Sequence, residues 1–226
     1  MARIPAMLAL VAALAATPPP NADSLATDAA RVLASERHGA VAFSLVYHYT
    51  ERGPAHSVDR SAKAAVVRND GATVATRVAE GSSAKPTLVE DDYRLPIEQN
   101  YLKEYRFSLG TSACAACSGD AVAVDFASEL RDDEHGDGTM WIDGTSHHVL
   151  SLRFHPSVLP AHTDSADISV TFGQVLPDLW DVTLAEQQYD GHEFIFHGWG
   201  HVRQEQTNYR RYSSVTAAQN AATHKT

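Results

Sequence analysis

Two cysteines, twelve histidines and a surplus of carboxylates are the residues of this chain with chemistry to offer. Cys114-Ala115-Ala116-Cys117 has the spacing of a redox pair. A redox role needs the first thiol at a helix N-terminus, where the dipole lowers its pKa. Here Gly110-Thr111-Ser112 precedes the motif and Ser118-Gly119-Asp120 follows it, which marks a loop between two strands. In an oxidising compartment such a pair reads as a small structural disulfide, Cys114 to Cys117, that closes the loop. A redox pair, half of a metal site and free thiols are the competing readings, although zinc would want a second CxxC or a close histidine pair.

The histidines point towards metal and then away from it. His192-Glu193 and His197 nearly spell the HExxH of zinc proteases, with one residue too many. That motif works because positions i and i+4 share a helix face, whereas this segment alternates like a strand. His197 and His201, with Trp199 between them, would stand about 13 Å apart on one strand face, too far to share an ion. His147 and His148 would point to opposite faces. Asp133, Asp137 and Gly138 follow a calcium loop only until His135 and Gly144, where a ligand oxygen and the closing Glu belong. The run Asp132-Asp133-Glu134 reads as a solvated loop. No metal and no cofactor is therefore expected. Neither a GxSxG elbow, a Walker loop nor a dinucleotide fingerprint is present. An enzyme, an envelope hydrolase for example, would need a cleft that gathers two of Asp125, Asp143, His148 and His197.

The elements that would position these groups follow from periodicity. Residues 1–16 read as a secretory signal peptide: Arg3, an apolar run from Ile4 to Ala16, and small-x-small sites at Ala13-Leu14-Ala15 and Leu14-Ala15-Ala16. The run is too short for a membrane anchor, and no later segment is apolar enough to serve as one. Export predicts a soluble periplasmic or secreted protein of about 210 residues, the length of one larger all-β domain. No Cys stands near the cleavage site for lipidation. A net charge of −10 speaks against nucleic acid as a partner. Residues 17–21 form a stiff Pro-rich spacer. A helix follows, capped by Asn21 or Asp23 and ended by Gly39, with an apolar stripe of Leu25, Ala29, Val32 and Leu33.

From Val41 the period becomes two. Val41, Phe43, Leu45, Tyr47 and Tyr49 share a strand face, and Asn69-Asp70-Gly71 predicts a hairpin between strands near 62–68 and 72–79. Gly81 to Pro96 reads as a loop with a short helical piece. Tyr101, Lys103, Tyr105, Phe107 and Leu109 predict a strand, as do Val122, Val124 and Phe126. Met140-Trp141-Ile142 runs into the turn Asp143-Gly144 and returns through His148, Leu150, Leu152 and Phe154. Ile168, Val170 and Phe172 mark another strand, with more near 180–189 and 193–206. Residues 22–212 thus predict a single antiparallel β domain, and the polar, Ala-rich tail 213–226 a disordered one.

One N-terminal amphipathic helix followed by a long antiparallel meander resembles the periplasmic lipoprotein-carrier (LolA/LolB-like) half-barrel superfamily. The segment Gly138-Thr139-Met140-Trp141-Ile142-Asp143, with His148-Val149-Leu150-Ser151-Leu152-Arg153-Phe154, is similar to that group's recurring hairpin. Gly173 to Trp180 and Thr207-Asn208-Tyr209-Arg210-Arg211-Tyr212 are similar to its uncharacterised exported members. The resemblance implies a mainly β fold: a large curved antiparallel sheet, an unclosed half-barrel, packed on the N-terminal helix. It also implies a binding or carrier module for an apolar ligand or a lipidated protein. The chain departs from the group in offering one clear helix, where the group uses more to lid its cavity. Phe43, Leu45, Tyr47, Tyr105, Phe107 and Val124 are the candidate lining, since they supply apolar area on alternating positions and tyrosine hydroxyls for a head group. Ordinary core packing is the competing reading of the same six. A structural or interaction domain without a small ligand is the plainest alternative. The exported protein is expected to begin at Ala16 or Thr17; N-terminal sequencing checks this, and a mature chain that keeps Met1 refutes it.

Overall fold

The computed structural model describes residues 21–54, 56–114, 117, 119–193 and 196–223. The segment 1–16 read as a signal peptide and the prolines of the expected spacer lie outside them. Helix α1 spans Ala22–Glu36, and the Asn21 side chain accepts from the Asp23 N–H at 2.9 Å. Leu25, Ala29 and Leu33 of the expected stripe are buried together with Ala22, Ala26 and Ala30, while Val32 is half-buried. Gly39, at φ +76°, turns the chain out of the helix into β1.

Ten strands follow: β1 Ala40–Arg52, β2 Ser57–Asn69, β3 Ala72–Val78, β4 Tyr105–Leu109, β5 Ala121–Ser128, β6 Gly136–Asp143, β7 Val149–Pro156, β8 Thr163–Leu176, β9 Leu179–Glu193 and β10 Phe196–Tyr212. They form one unclosed sheet in the order β3-β2-β1-β10-β9-β8-β7-β6-β5-β4. The pairings are antiparallel. The expected hairpin is there: Asp70 and Gly71 both take positive φ between β2 and β3. The mainly β, open-sheet architecture with its N-terminal helix is thus the one expected.

Two expectations are corrected. The strand over 101–109 starts only at Tyr105, because the Glu104 N–H donates to the Tyr101 carbonyl and winds Leu102–Glu104 into a 3-10 turn. Tyr101 and Lys103 therefore leave the shared face. The tail after Tyr212 is ordered as helix α2, Val215–Thr223. Ser214 caps it through the Ala217 N–H, and Ala218 and Ala222, one turn apart, bury against Ala40, Ala42 and Val67 on the outer face of the sheet. A polar composition hid a two-alanine contact that high alanine propensity makes sufficient.

The inner face carries two apolar clusters. α1 and the loop residues Val89, Leu95 and Ile97 cover β4 to β9 through Val124, Phe126, Met140, Ile142, Leu152, Phe154 and Ile168. Val41, Phe43, Leu45, Val66, Leu88, Leu179 and Tyr209 form the second, under β1, β2 and β10. A buried polar network lies against this second cluster. Arg68, 3% exposed, donates to Glu90 at 2.7 Å and lies 3.6 Å from Asp181. Asp181 also accepts from Arg37, the residue that caps the C-terminus of α1. Gln206 donates to Glu90 and accepts from the Tyr209 hydroxyl. Gln204 accepts from the Val89 N–H and donates to the Thr87 carbonyl. Burial works against Asp181 ionising, but Arg37 and Arg68 outweigh it and hold the carboxyl below its usual range.

Removing one member of such a network leaves its partner charged and buried. Glu90→Ala is expected to cost about 3–5 kcal/mol, read from chemical denaturation. Replacing Arg68 and Glu90 together with Met and Leu is expected to recover part of that loss.

Candidate functional site

α1 and the 86–102 loop leave one end of the inner face uncovered. There β1, β10, β9 and β8 run on with half-buried Tyr47, Tyr49, Val202, Gln187 and Tyr189. Two adjoining cavities open at this end and share Thr163 and Tyr189. The first, about 550 Å³, is walled by Tyr93, Leu159, Ala166 and Gln187. The second, about 530 Å³, is walled by Glu51, His56, His162, His192 and Trp199. Trp199 is 45% exposed.

Glycines make this end possible. A Cβ on Gly200 would stand 2.0 Å from the Tyr189 ring, so the ring lies across β10 only because residue 200 has no side chain. A Cβ on Gly191 would stand 2.2 Å from the His162 carbonyl oxygen. The Gly-x-Gly of Gly198-Trp199-Gly200 was the sequence signal for a close approach here.

A hydrogen-bonded chain crosses the site. His56 Nε2 lies 2.8 Å from Glu51, Glu51 accepts from the Tyr49 hydroxyl, and that hydroxyl lies 2.7 Å from the hydroxyl of Tyr189. The bonds from Tyr49 and then His56 hold Glu51 below the usual carboxylate range. Burial, then Glu51 and Tyr189, push the Tyr49 phenol far above its usual range. Burial, with Asp92 and Asp133 nearby, pushes Tyr93 up to about 12. His192 forms a second imidazole–carboxylate pair with Asp164. The site thus offers aromatic walls, neutral phenols and paired imidazoles. These are groups that hold an amphipathic molecule, with the ionised Glu51 already engaged.

The six residues of the expected lining are not brought together. Phe43 and Leu45 are core on β1, where the Phe43 ring stacks on Tyr209 at 4.8 Å and lies beneath Arg68. Tyr105 and Val124 are core on β4 and β5, at the far end of the sheet, with Phe107 packed against them. The Tyr105 hydroxyl donates to the Arg94 carbonyl. Only Tyr47 stands near the open end, its environment shaped by burial and then Tyr189. Alternation picks out the inner face correctly, yet it cannot tell which stretch of that face a loop will cover.

The other candidates are accounted for by local structure. Asp125 accepts from Thr139; Asp143 accepts from the Thr145 and Ser146 N–H groups of the β6–β7 turn. His148 binds Glu36 and stacks on Trp180 at 4.6 Å. His197 faces His192 across the β9–β10 ladder, with ring centroids 6.1 Å apart. His135, where a calcium loop would need an oxygen, is buried and bridges Asp132 and Glu104. Among the described residues no three His, Cys, Asp or Glu are placed to hold a metal ion. Cys114 and Cys117 are joined in a disulfide.

No protein-family model matches the chain, and no curated protein does. Several solved structures are similar to it. A LolA superfamily protein from Nitrosomonas europaea has 9% identity over 86% of this chain and 95% of that one, with a TM-score of 0.41. A domain named as an outer membrane lipoprotein-sorting protein from Vibrio parahaemolyticus has 14% identity over 83% and 94%, with a TM-score of 0.45. A DUF1329 family protein from Desulfovibrio piger has 12% identity over 85% and 92%, with a TM-score of 0.44.

Glu51→Gln is expected to lower the ionisation pH of Tyr49, because it removes the negative charge that opposes a phenolate. Ultraviolet difference titration against Tyr49→Phe reads the effect, and an unchanged tyrosine profile contradicts the chain described.

Proposed function

We propose that the protein is a binding module of the bacterial envelope that holds an amphipathic ligand at the open end of its inner face. The observation that carries this reading is the pair of adjoining cavities around Tyr189. Each is of the size that small-molecule sites have, about 300–1,000 Å³. The apolar part of the ligand packs on Tyr93, Leu159 and Tyr189. The polar end meets His56, His162 and His192. An acyl chain, from a lipid or a lipidated protein, is the ligand class that the LolA-like resemblance of the sequence implies, and the aromatic walls suit it. Export rests on residues 1–16, and carrier action on the site being open to solvent.

Trp199 is a built-in reporter, since Trp141 and Trp180 have their indole N–H groups tied to the Ser112 and Val149 carbonyls. Titrating the mature protein with dodecanoate is expected to shift tryptophan emission to the blue, and Trp199→Phe is expected to remove the shift. Tyr189→Ala is expected to weaken binding about tenfold, or about 1.4 kcal/mol. No emission change, together with no acyl compound in native mass spectra of the purified protein, would end the carrier reading.

A further inference from the structure

The hydrogen-bonded chain at the open end has a direction, which follows from the groups that have a proton to give. The ionised Glu51 has none. His56 Nε2, 2.8 Å away, and the Tyr49 hydroxyl therefore both donate to it. A phenol carries one proton, and Tyr49 has spent its own on Glu51. At the 2.7 Å contact between the two phenols the donor is therefore Tyr189, and Tyr49 accepts. Tyr189 is left with lone pairs alone. Gly200 makes the contact possible, since a Cβ there would stand 2.3 Å from the Tyr189 oxygen.

The side chains beside it have the same polarity. Glu51, His56, Tyr189 and His192 all line the second cavity. His56 spends its Nε2–H on Glu51 and His192 its Nδ1–H on Asp164, so the other nitrogen of each neutral ring is an acceptor. Thr163 and His162 serve either way. The donors on the lining are Trp199, which is exposed, and Arg52, whose Nη1 is committed to Ser57 and to the Glu51 and Val58 carbonyls. Tyr189 belongs to both cavities, so its polarity bears on a head group in either.

We propose that Tyr49 fixes this direction, and that the open end thereby selects an amphipathic ligand whose head group donates a hydrogen bond, through a hydroxyl or an amide N–H. The proposal rests on the reading that a ligand enters beside Tyr189, and adds what its head group must be. A donor head satisfies the Tyr189 oxygen. A head with acceptors alone sets lone pair against lone pair and gives up its hydrogen bonds to water with no return. Such a site discriminates more strongly than apolar walls do. Tyr49 lines neither cavity and acts through Tyr189, as a positioning residue. Dodecanoate brings acceptors alone beside the charged Glu51, so its hold comes from its chain.

Two pairs of probes test this on the mature protein, followed by Trp199 emission at mildly alkaline pH, where imidazole is neutral. Dodecanamide is set against N,N-dimethyldodecanamide, and dodecanol against dodecyl methyl ether. Each donor is expected to bind at least about tenfold more tightly than its blocked partner, and the tighter of the two donors tells an amide head from a hydroxyl head. Tyr49→Phe frees the Tyr189 proton to turn outward, and is expected to remove the preference by strengthening the blocked probes. A merely structural role for Tyr49 would weaken all four alike. Should that variant fail to fold, Glu51→Gln serves instead: its amide can donate to Tyr49, which turns the chain round and is expected to favour the blocked probes. The proposal alone is overturned if the blocked probes bind as tightly as the donors, or if folded Tyr49→Phe keeps the parent's preference. If none of the four changes the emission or appears in native mass spectra, the open-end reading falls and takes the proposal with it.

Discussion

Arg68 is the residue on which the arrangement of the inner face depends. Its guanidinium is buried among β1, β2, β9 and β10, and it can stay there charged only because Glu90 and Asp181 face it. Glu90 comes from the long loop before β4 and Asp181 from β9, and Arg37 brings α1 to the same point. One buried cation thereby draws in a helix, a loop and strands from both ends of the chain. Such a group adds little net stability compared with a packed apolar core. What it does is penalise every arrangement in which the loop or the helix sits elsewhere.

That anchoring determines what the sheet covers and what it leaves open. With Glu90 held by Arg68 and Gln206, and with Val89 N–H and the Thr87 carbonyl both held by Gln204, the loop lies over the middle of the inner face. Leu88, Val89, Leu95 and Ile97 then fill the space above the strands. The strands β1, β8, β9 and β10 are longer than this cover, at 13, 14, 15 and 17 residues. Their far ends supply the exposed aromatic and imidazole groups around Tyr189. The open end is thus a product of unequal lengths, long strands under a short lid.

The strands were legible because alternation is a local property. Val122, Val124 and Phe126, or Ile168, Val170 and Phe172, have a period of two whatever the rest of the chain does. The Asn69-Asp70-Gly71 turn was legible for the same reason, since positive φ at two successive residues is a local demand. Helix α2 was missed because its signal is a pair of alanines whose partner surface, Ala40, Ala42 and Val67, is far away in sequence. The open end of the inner face was less legible still. Phe43 and Tyr47 look alike in the sequence, two aromatics four residues apart on one face of one strand. They differ in that Leu88 and Tyr209 cover the first, while the 86–102 loop ends before the second. Gly200 carried a hint, because a glycine inside a strand needs a reason, and the reason proved to be the Tyr189 ring.

The strand order has a consequence in time. β1 pairs with β10 along nearly its whole length, from Ala40 opposite Tyr212 to Arg52 opposite Trp199. The hairpins β1–β2–β3 and the meander β4 to β9 can each form from neighbours, but no strand pairing joins them until the last strand of the sheet has emerged. Such long-range pairing is slow. Until then the growing chain presents two naked strand edges, β1 and β9, each ready to pair with a stranger. A chain of this topology is best kept unfolded until it is whole, and its yield will depend on whatever companion shields those edges during the wait.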